Sequence, residues 1–263
     1  MIPVQPYFLN ATSRYEKHIV NRLGISHFYT FRSSNSGATS FGVPDDCLDL
    51  MICCDPENPG ITVCGTGLSP RQLKIRNHCE YFGVRFLPGF DPWFLPISFS
   101  ESIEKDIPLP EQVLPHHCFD LILTRRDFHS RQLLFMDMYQ RGLSVSLEDT
   151  AHKTRDLIWK THGRLSIQKI ADLLGYSRPY ITRVFRHAFG MSPKMFSEIL
   201  RFQNSLDAIK TSANPNYMDI AIDSGYFDES HMLSTYRKFT RRTPGECHDY
   251  FQTPGYKTAL KVV

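Results

Sequence analysis

Arg178, Pro179, Thr182, Arg183 and Arg186 share one face if the run from Ser177, as N-cap, to Phe189 is helical. Ile181, Val184, Phe185 and Ala188 then share the inner face. An arginine about two turns into such a helix can donate a fork of N–H groups to guanine O6 and N7, and Arg183 stands there. Arg186 and Lys194 are better placed for phosphate oxygens. A single basic helix face is ordinarily only solvated. This one gains meaning because its setting occurs twice.

Ile170-Ala171-Asp172-Leu173-Leu174-Gly175-Tyr176 returns fifty residues later as Ile220-Ala221-Ile222-Asp223-Ser224-Gly225-Tyr226. Phe185-Arg186 and Ser192-Pro193 return as Tyr236-Arg237 and Thr243-Pro244 at an offset of fifty-one, the inserted residue being Phe227. Each copy reads as a short helix, a turn at Gly-Tyr, and a second helix that stops before Ser/Thr-Pro. Alanine lets two helices cross closely, and glycine supplies the positive φ of the turn. Two helix-turn-helix units imply two insertions into the major grooves of double-stranded DNA.

The second recognition helix is predicted from Asp228 to Thr240, with Met232, Tyr236 and Phe239 inside. Glu229, Ser230, His231, Leu233, Ser234 and Arg237 are its candidates for the outside. This face is far less basic: Ser234 holds the place of Arg183, and Asp228 reads as a helix cap. Glu229 either accepts from cytosine N4 or simply favours the helix N-terminus. Copy one is therefore expected to supply more of the affinity. Between the copies, Ser192-Pro193 opens a connecting helix that keeps Phe196, Ile199, Leu200, Leu206 and Ile209 in register to about Lys210. That is roughly 27 Å of helix at 1.5 Å per residue.

The 263 residues carry a formal net charge of +3, spread unevenly. Residues 1–145 hold 13 Lys and Arg against 15 Asp and Glu, whereas 146–263 hold 17 against 12, so the basic half coincides with the repeat. Seven cysteines show no CxxC pair, and Cys53-Cys54 read as two small buried hydrophobes. With no leader-like start and no membrane-length apolar run, a soluble protein of a reducing cytoplasm is expected, with no membrane partner.

Upstream, alternation is period-two from about Ile25 to Phe94. His27–Phe31, Leu48–Ile52, Ile61–Cys64, Leu73–Ile75 and Tyr81–Phe86 are strand candidates, separated by turn clusters such as 33–37 and 55–60. A small barrel or sandwich is expected. Pro96 to Pro115 reads as irregular, 119–141 as one helix ended by Gly142, and the tail after Phe251 as frayed. The fold class is thus α+β. An N-terminal β-rich domain spans 1–115, a helical connector 116–145, an all-α DNA-binding domain 146–251 and a tail 252–263. The last helical domain opens at the capping-box-like Ser146-Leu147-Glu148-Asp149.

The stretch 146–251 resembles the DNA-binding domain of the bacterial AraC/XylS transcription regulators. The resemblance rests on Ile170-Ala171…Gly175-Tyr176-Ser177, Arg183-Val184-Phe185-Arg186, Gly190-Met191-Ser192-Pro193 and Ile220-Ala221…Ser224-Gly225-Tyr226. It continues through Asp228-Glu229-Ser230-His231, Tyr236-Arg237-Lys238-Phe239 and Thr243-Pro244. It implies a seven-helix domain whose two recognition helices enter successive major grooves on one face of the DNA. One departure is Arg241, where the family usually ends the helix with glycine; Arg241 then becomes a phosphate candidate. Val43–Leu50 and Gly83–Gly89 resemble the cupin-like sensor domains fused to such regulators.

That second resemblance implies a small organic effector, and Tyr29, Phe31, Phe82, Phe86 and Trp93 are the expected lining, with His27 or Arg85 as a polar anchor. Strand parity sets Arg85 opposite Phe86, which counts against an inward arginine and an anionic effector. No metal or other cofactor is expected: His27, His78 and the pair His116-His117 lack HxH spacing. No GxSxG, Walker, GxGxxG or HExxH motif is present, so the chain does not read as an enzyme. The apolar stripe from Leu133 to Tyr139 either forms a homodimer contact or packs on the barrel of its own chain. Two regulatory readings remain open, effector control and an N-terminal domain that only dimerises or binds a partner. RNA polymerase is the further partner if the chain activates.

Overall fold

A computed structural model describes residues 3–6, 12–33, 41–72, 74–143 and 149–262. The N-terminal part is built on a seven-stranded sheet in the order β8-β5-β4-β7-β2-β1-β9, with a two-stranded ribbon of β3 and β6 beside it. The strands are β1 (Thr12–Arg22), β2 (Ile25–Ser33), β3 (Phe41–Gly42), β4 (Asp49–Cys53), β5 (Gly60–Cys64), β6 (Arg71–Gln72), β7 (Glu80–Phe86), β8 (Asp106–Leu109) and β9 (Leu260–Val262). Among the described residues the sheet ends in β8 and β9 rather than closing on itself, so the small barrel or sandwich expected is an open, mostly antiparallel sheet. Four strand candidates fall on β2, β4, β5 and β7. The candidate Leu73–Ile75 is not a strand at Lys74 and Ile75, and Leu73 lies outside the described residues, as do residues 34–37 of the first turn cluster.

Alternation along β2 and β7 sends two different aromatic sets to two faces. The register places Phe28 opposite Val84 and Thr30 opposite Phe82, and Tyr29 opposite Gly83 and Phe31 opposite Tyr81. Phe28, Phe82 and Phe86 go to one side, under the helices α2 (Cys118–Thr124) and α3 (Phe128–Arg141). Phe28 meets Phe135 edge-on at 5.7 Å, and Phe86 lies 6.1 Å from Tyr139. Tyr29, Phe31, Met51, Cys53 and Tyr81 form a separate cluster on the other side. Gly83 matters here, because the Tyr29 ring occupies the space any β-carbon would need.

The connector differs from the single helix expected over 119–141. Arg125 leaves α2 in an extended conformation, and the Asp127 carboxylate accepts from the Ser130 N–H to start α3 afresh. The Pro96–Pro115 stretch, expected to be irregular, contains the capped helix α1 (Phe99–Ser102) and edge strand β8, whose Pro108 is tolerated at the sheet margin.

Seven helices follow: α4 (Thr150–Lys160), α5 (Ile167–Leu174), α6 (Arg178–Phe189), α7 (Pro193–Thr211), α8 (Tyr217–Asp223), α9 (Glu229–Thr240) and α10 (Pro244–Gln252). Asp149 caps α4; residues 146–148 of the expected start lie outside those described. The tail is not frayed. Helix α11 (Pro254–Ala259) leads into β9, which runs parallel to β1 and pairs Tyr15 with Leu260 and Lys17 with Val262.

The two parts touch along a continuous seam. Gln203 on α7 accepts from the Val4 N–H at 2.7 Å and donates to the carbonyls of Pro44 at 2.7 Å and Val4 at 3.3 Å. Arg155 on α4 donates to the Gly89 carbonyl at 3.1 Å. Helix α1 presents Phe99 edge-on to Phe189, the last residue of α6, at 6.0 Å.

Candidate nucleic-acid interface and a cavity beside the sheet

Each recognition helix is fixed at both ends by its own sequence. Ser177 caps α6 by accepting from the Tyr180 N–H, Pro179 sits in the first turn, and Gly190 closes the helix at φ +65°. Asp228 caps α9 by accepting from the His231 N–H at 2.7 Å. Arg241 closes α9 at φ +60°, so the left-handed cap survives without glycine.

Ile181, Phe185 and Phe189 anchor α6 in the core, and Phe185 packs on Phe196 of α7 at 5.4 Å. Met232, Tyr236 and Phe239 anchor α9 against Phe202 of the same α7. Both helices therefore lean on one rod, which fixes their separation. Val184 and Ala188, expected inside, are half-buried.

All twelve candidate DNA contacts reach the surface. Arg178, Pro179, Arg183, Arg186 and Lys194 are exposed and Thr182 is half-exposed; Glu229, Ser230, His231, Ser234, Arg237 and Arg241 are exposed on copy two. Arg178, Pro179, Thr182, Arg183 and Arg186 line one surface hollow together with His187, which the sequence reading missed. The Arg183 guanidinium lies 5.5 Å from the centre of the Tyr180 ring, and that ring stacks on Tyr176 at 4.8 Å. The stack restricts Arg183 before any partner arrives. On copy two, Lys238 pairs with Glu198 at 2.9 Å and is not available in the same way.

The expected effector residues do not share a cavity. Tyr29 lines one of about 270 Å³ together with Gln5, Asp45, Asp49, Met51, Thr62, Arg71 and Arg85, among others. Phe82 and Phe86 lie in the core on the opposite face of the sheet, and Phe31 belongs to the neighbouring aromatic cluster. Trp93 is 41% exposed and donates to the Tyr139 carbonyl. The five residues are thus divided between the two faces of one sheet and its margin.

Parity does set Arg85 opposite Phe86, and the cavity lies on that side, so Arg85 faces it, but it is already committed. Its Nε donates to both Asp49 oxygens at 2.9 and 3.0 Å, its Nη2 to Asp49 Oδ2 at 2.5 Å and its Nη1 to Asp45 Oδ2 at 2.8 Å. Arg71 is likewise paired with Asp106 at 2.6 Å. Burial raises the Asp45 pKa despite Arg85, and the two carboxylates hold the guanidinium firmly charged. Gln5 bridges the region, donating to Asp45 Oδ2 and to the Val43 carbonyl, both at 2.7 Å. Next to it, Asp46 is fully buried at φ +57° with neither carboxyl oxygen hydrogen-bonded, and burial pushes its pKa far up. Among the described residues no group of three or more His, Cys, Asp and Glu could hold a metal ion. No helix among them is long and apolar enough to cross a membrane.

Comparison with known proteins agrees with this geometry. Residues 170–249 match the model of a helix-turn-helix domain family. An uncharacterized HTH-type transcriptional regulator of Haemophilus influenzae is 24% identical over 118 residues, 44% of this chain and 39% of that protein. The match thus spans well under half of that relative's length. Among solved structures, an AraC-type regulator from Chromobacterium violaceum is 24% identical and covers 40% of this chain and 94% of its own, with a TM-score of 0.36. ToxT from Vibrio cholerae is 11% identical and covers 86% of this chain and 98% of its own, with a TM-score of 0.48. Over its C-terminal helices the chain thus carries a helix-turn-helix domain.

Proposed function

We propose that this chain is a sequence-specific DNA-binding transcription regulator whose two recognition helices enter successive major grooves of one duplex. The observation that carries this reading is the pair of capped helices α6 and α9, anchored on α7, with outward faces that hold no core residue. One chain then covers two sites about a turn apart, roughly 34 Å, with a spacing that tolerates no single base-pair insertion. Selection from a random duplex library tests it. Arg183→Ala should relax one position at a cost of about 1–3 kcal/mol, whereas Arg186→Ala should weaken all duplexes alike and lower the salt slope by about one. Free spacing, or an unchanged site after Arg183→Ala, would refute the assignment.

We further propose that the cavity beside Gln5 and Arg85 takes a small organic effector, an uncharged or weakly polar one because its arginines are internally neutralised. A thermal-shift screen with uncharged and anionic metabolites tests this reading. Stabilisation by anions alone would reject it. A second reading, control by self-association, is favoured by Leu133 on α3, which is 59% exposed while Phe135, Met138 and Tyr139 pack inward. RNA polymerase remains the partner proposed for an activator, and the cytoplasm its place.

A further inference from the structure

Phe227 is the one residue by which the second copy exceeds the first, and its ring is 85% exposed. An aromatic side chain just before a helix cap ordinarily folds back as a staple onto the first turns. Tyr176, in the same place before the cap of α6, partly does so by stacking on Tyr180. No ring stacks on Phe227 among the described residues.

Its backbone, by contrast, is held. The Phe227 N–H points to His231 Nδ1 at 3.4 Å, and the His231 ring stands edge-on to buried Tyr226 at 5.3 Å. The next residue, Asp228, caps α9 through the His231 N–H. A fixed turn thus presents a bare phenyl ring at the N-terminal end of a recognition helix, the end that meets base edges in this class of motif. The helix behind it carries Ser234 where α6 carries Arg183, so it has no fork for guanine there.

We infer that Phe227 is a base-reading residue of the second half-site, and that it selects thymine by apolar contact with the C5-methyl group. Phenylalanine is one of the few side chains suited to that contact. The two units then read by different chemistry, the first by guanidinium and the second by an aromatic ring. This rests on the proposed DNA-binding role.

The test uses the full chain and the duplex it selects from a random library. Each thymine of the second half-site is replaced in turn by uracil, which lacks only the methyl. For the wild type, one such replacement should weaken binding about fourfold, the value of burying one methyl-sized group. Phe227→Ala should lose a similar factor on the thymine duplex and ignore the uracil change. Phe227→Leu should keep part of the discrimination. Because the side chain is exposed, the alanine variant should retain its fold, checked by its melting temperature.

Equal methyl sensitivity in wild type and Phe227→Ala would overturn the inference. So would a defect of Phe227→Ala that emerges only when RNA polymerase is added, which would assign the ring to a protein partner. If Arg186→Ala weakens binding while Phe227→Ala changes nothing, only this inference falls. If the wild type selects no duplex, the DNA-binding reading itself fails.

Discussion

Replacing Arg85 by methionine removes the cation from the cavity wall while keeping most of its volume. Arg85 makes four hydrogen bonds to Asp45 and Asp49, and the three side chains are only 11%, 4% and 9% exposed. Breaking such a buried pair from one side costs about 3–5 kcal/mol, because the carboxylates stay behind without a counter-charge. That is a fifth or more of the roughly 5–15 kcal/mol typical of a folded domain. The loss should depend on pH. The Asp45 pKa is already raised by burial, and losing Arg85 raises it further. A carboxyl with a raised folded pKa weakens the fold as pH climbs above about 4, where the unfolded chain ionises first. Urea unfolding of Arg85→Met should therefore show a small deficit near pH 4 that grows toward pH 7. Adding Asp45→Asn and Asp49→Asn should recover most of it. A loss below about 1 kcal/mol, or one equal at pH 5 and pH 8, would refute the account of the cavity as an internally neutralised cluster.

Three other outcomes follow from single residues. Arg241→Gly should stabilise the fold by about 1 kcal/mol, since Arg241 closes α9 at φ +60° where glycine is unstrained; calorimetry should show a melting point a few degrees higher. Asp46→Asn should raise stability at pH 7 more than at pH 4, because its buried carboxyl penalises the fold only once the unfolded chain ionises; equal gains would contradict that. If self-association uses α3, Leu133→Lys should turn a dimer into a monomer by light scattering at tens of micromolar without lowering the melting point, and a wild type already monomeric would exclude this route.

The helical half was legible because its signals are local. Ser177, Asp228, Ser192 and Gly190 are caps that announce helix ends in the residue itself, and the repeat supplied the context that an isolated basic helix lacks. The N-terminal half depends on which face of a strand meets which layer. Period-two alternation correctly grouped Phe82 with Phe86 and Tyr29 with Phe31, but it carries no label for core or cavity. The label comes from α3, which covers the Phe82 face and leaves Arg85 with Tyr29 on the other. Strand β9 was illegible for a similar reason: its three residues become a strand only because β1 offers an unpaired edge far away in sequence. His187 is not marked by its type; only the hollow it shares with Arg183 and Arg186 brings it into the set.

Helix α1 occupies a position with mechanical consequences. On one side Ser102 presses against Gly65, whose missing β-carbon permits the approach, and Gly65 belongs to the cavity wall. On the other side Phe99 abuts Phe189, and a β-carbon on Gly190 would lie 3.1 Å from Ser100. One short helix is thus a shared partition between the chamber in the sheet and the far end of the first recognition helix. Packed side chains transmit displacement with little compression. If a small molecule bound in the chamber and a duplex on α6 were coupled through this partition, each would alter the other's affinity by the same factor.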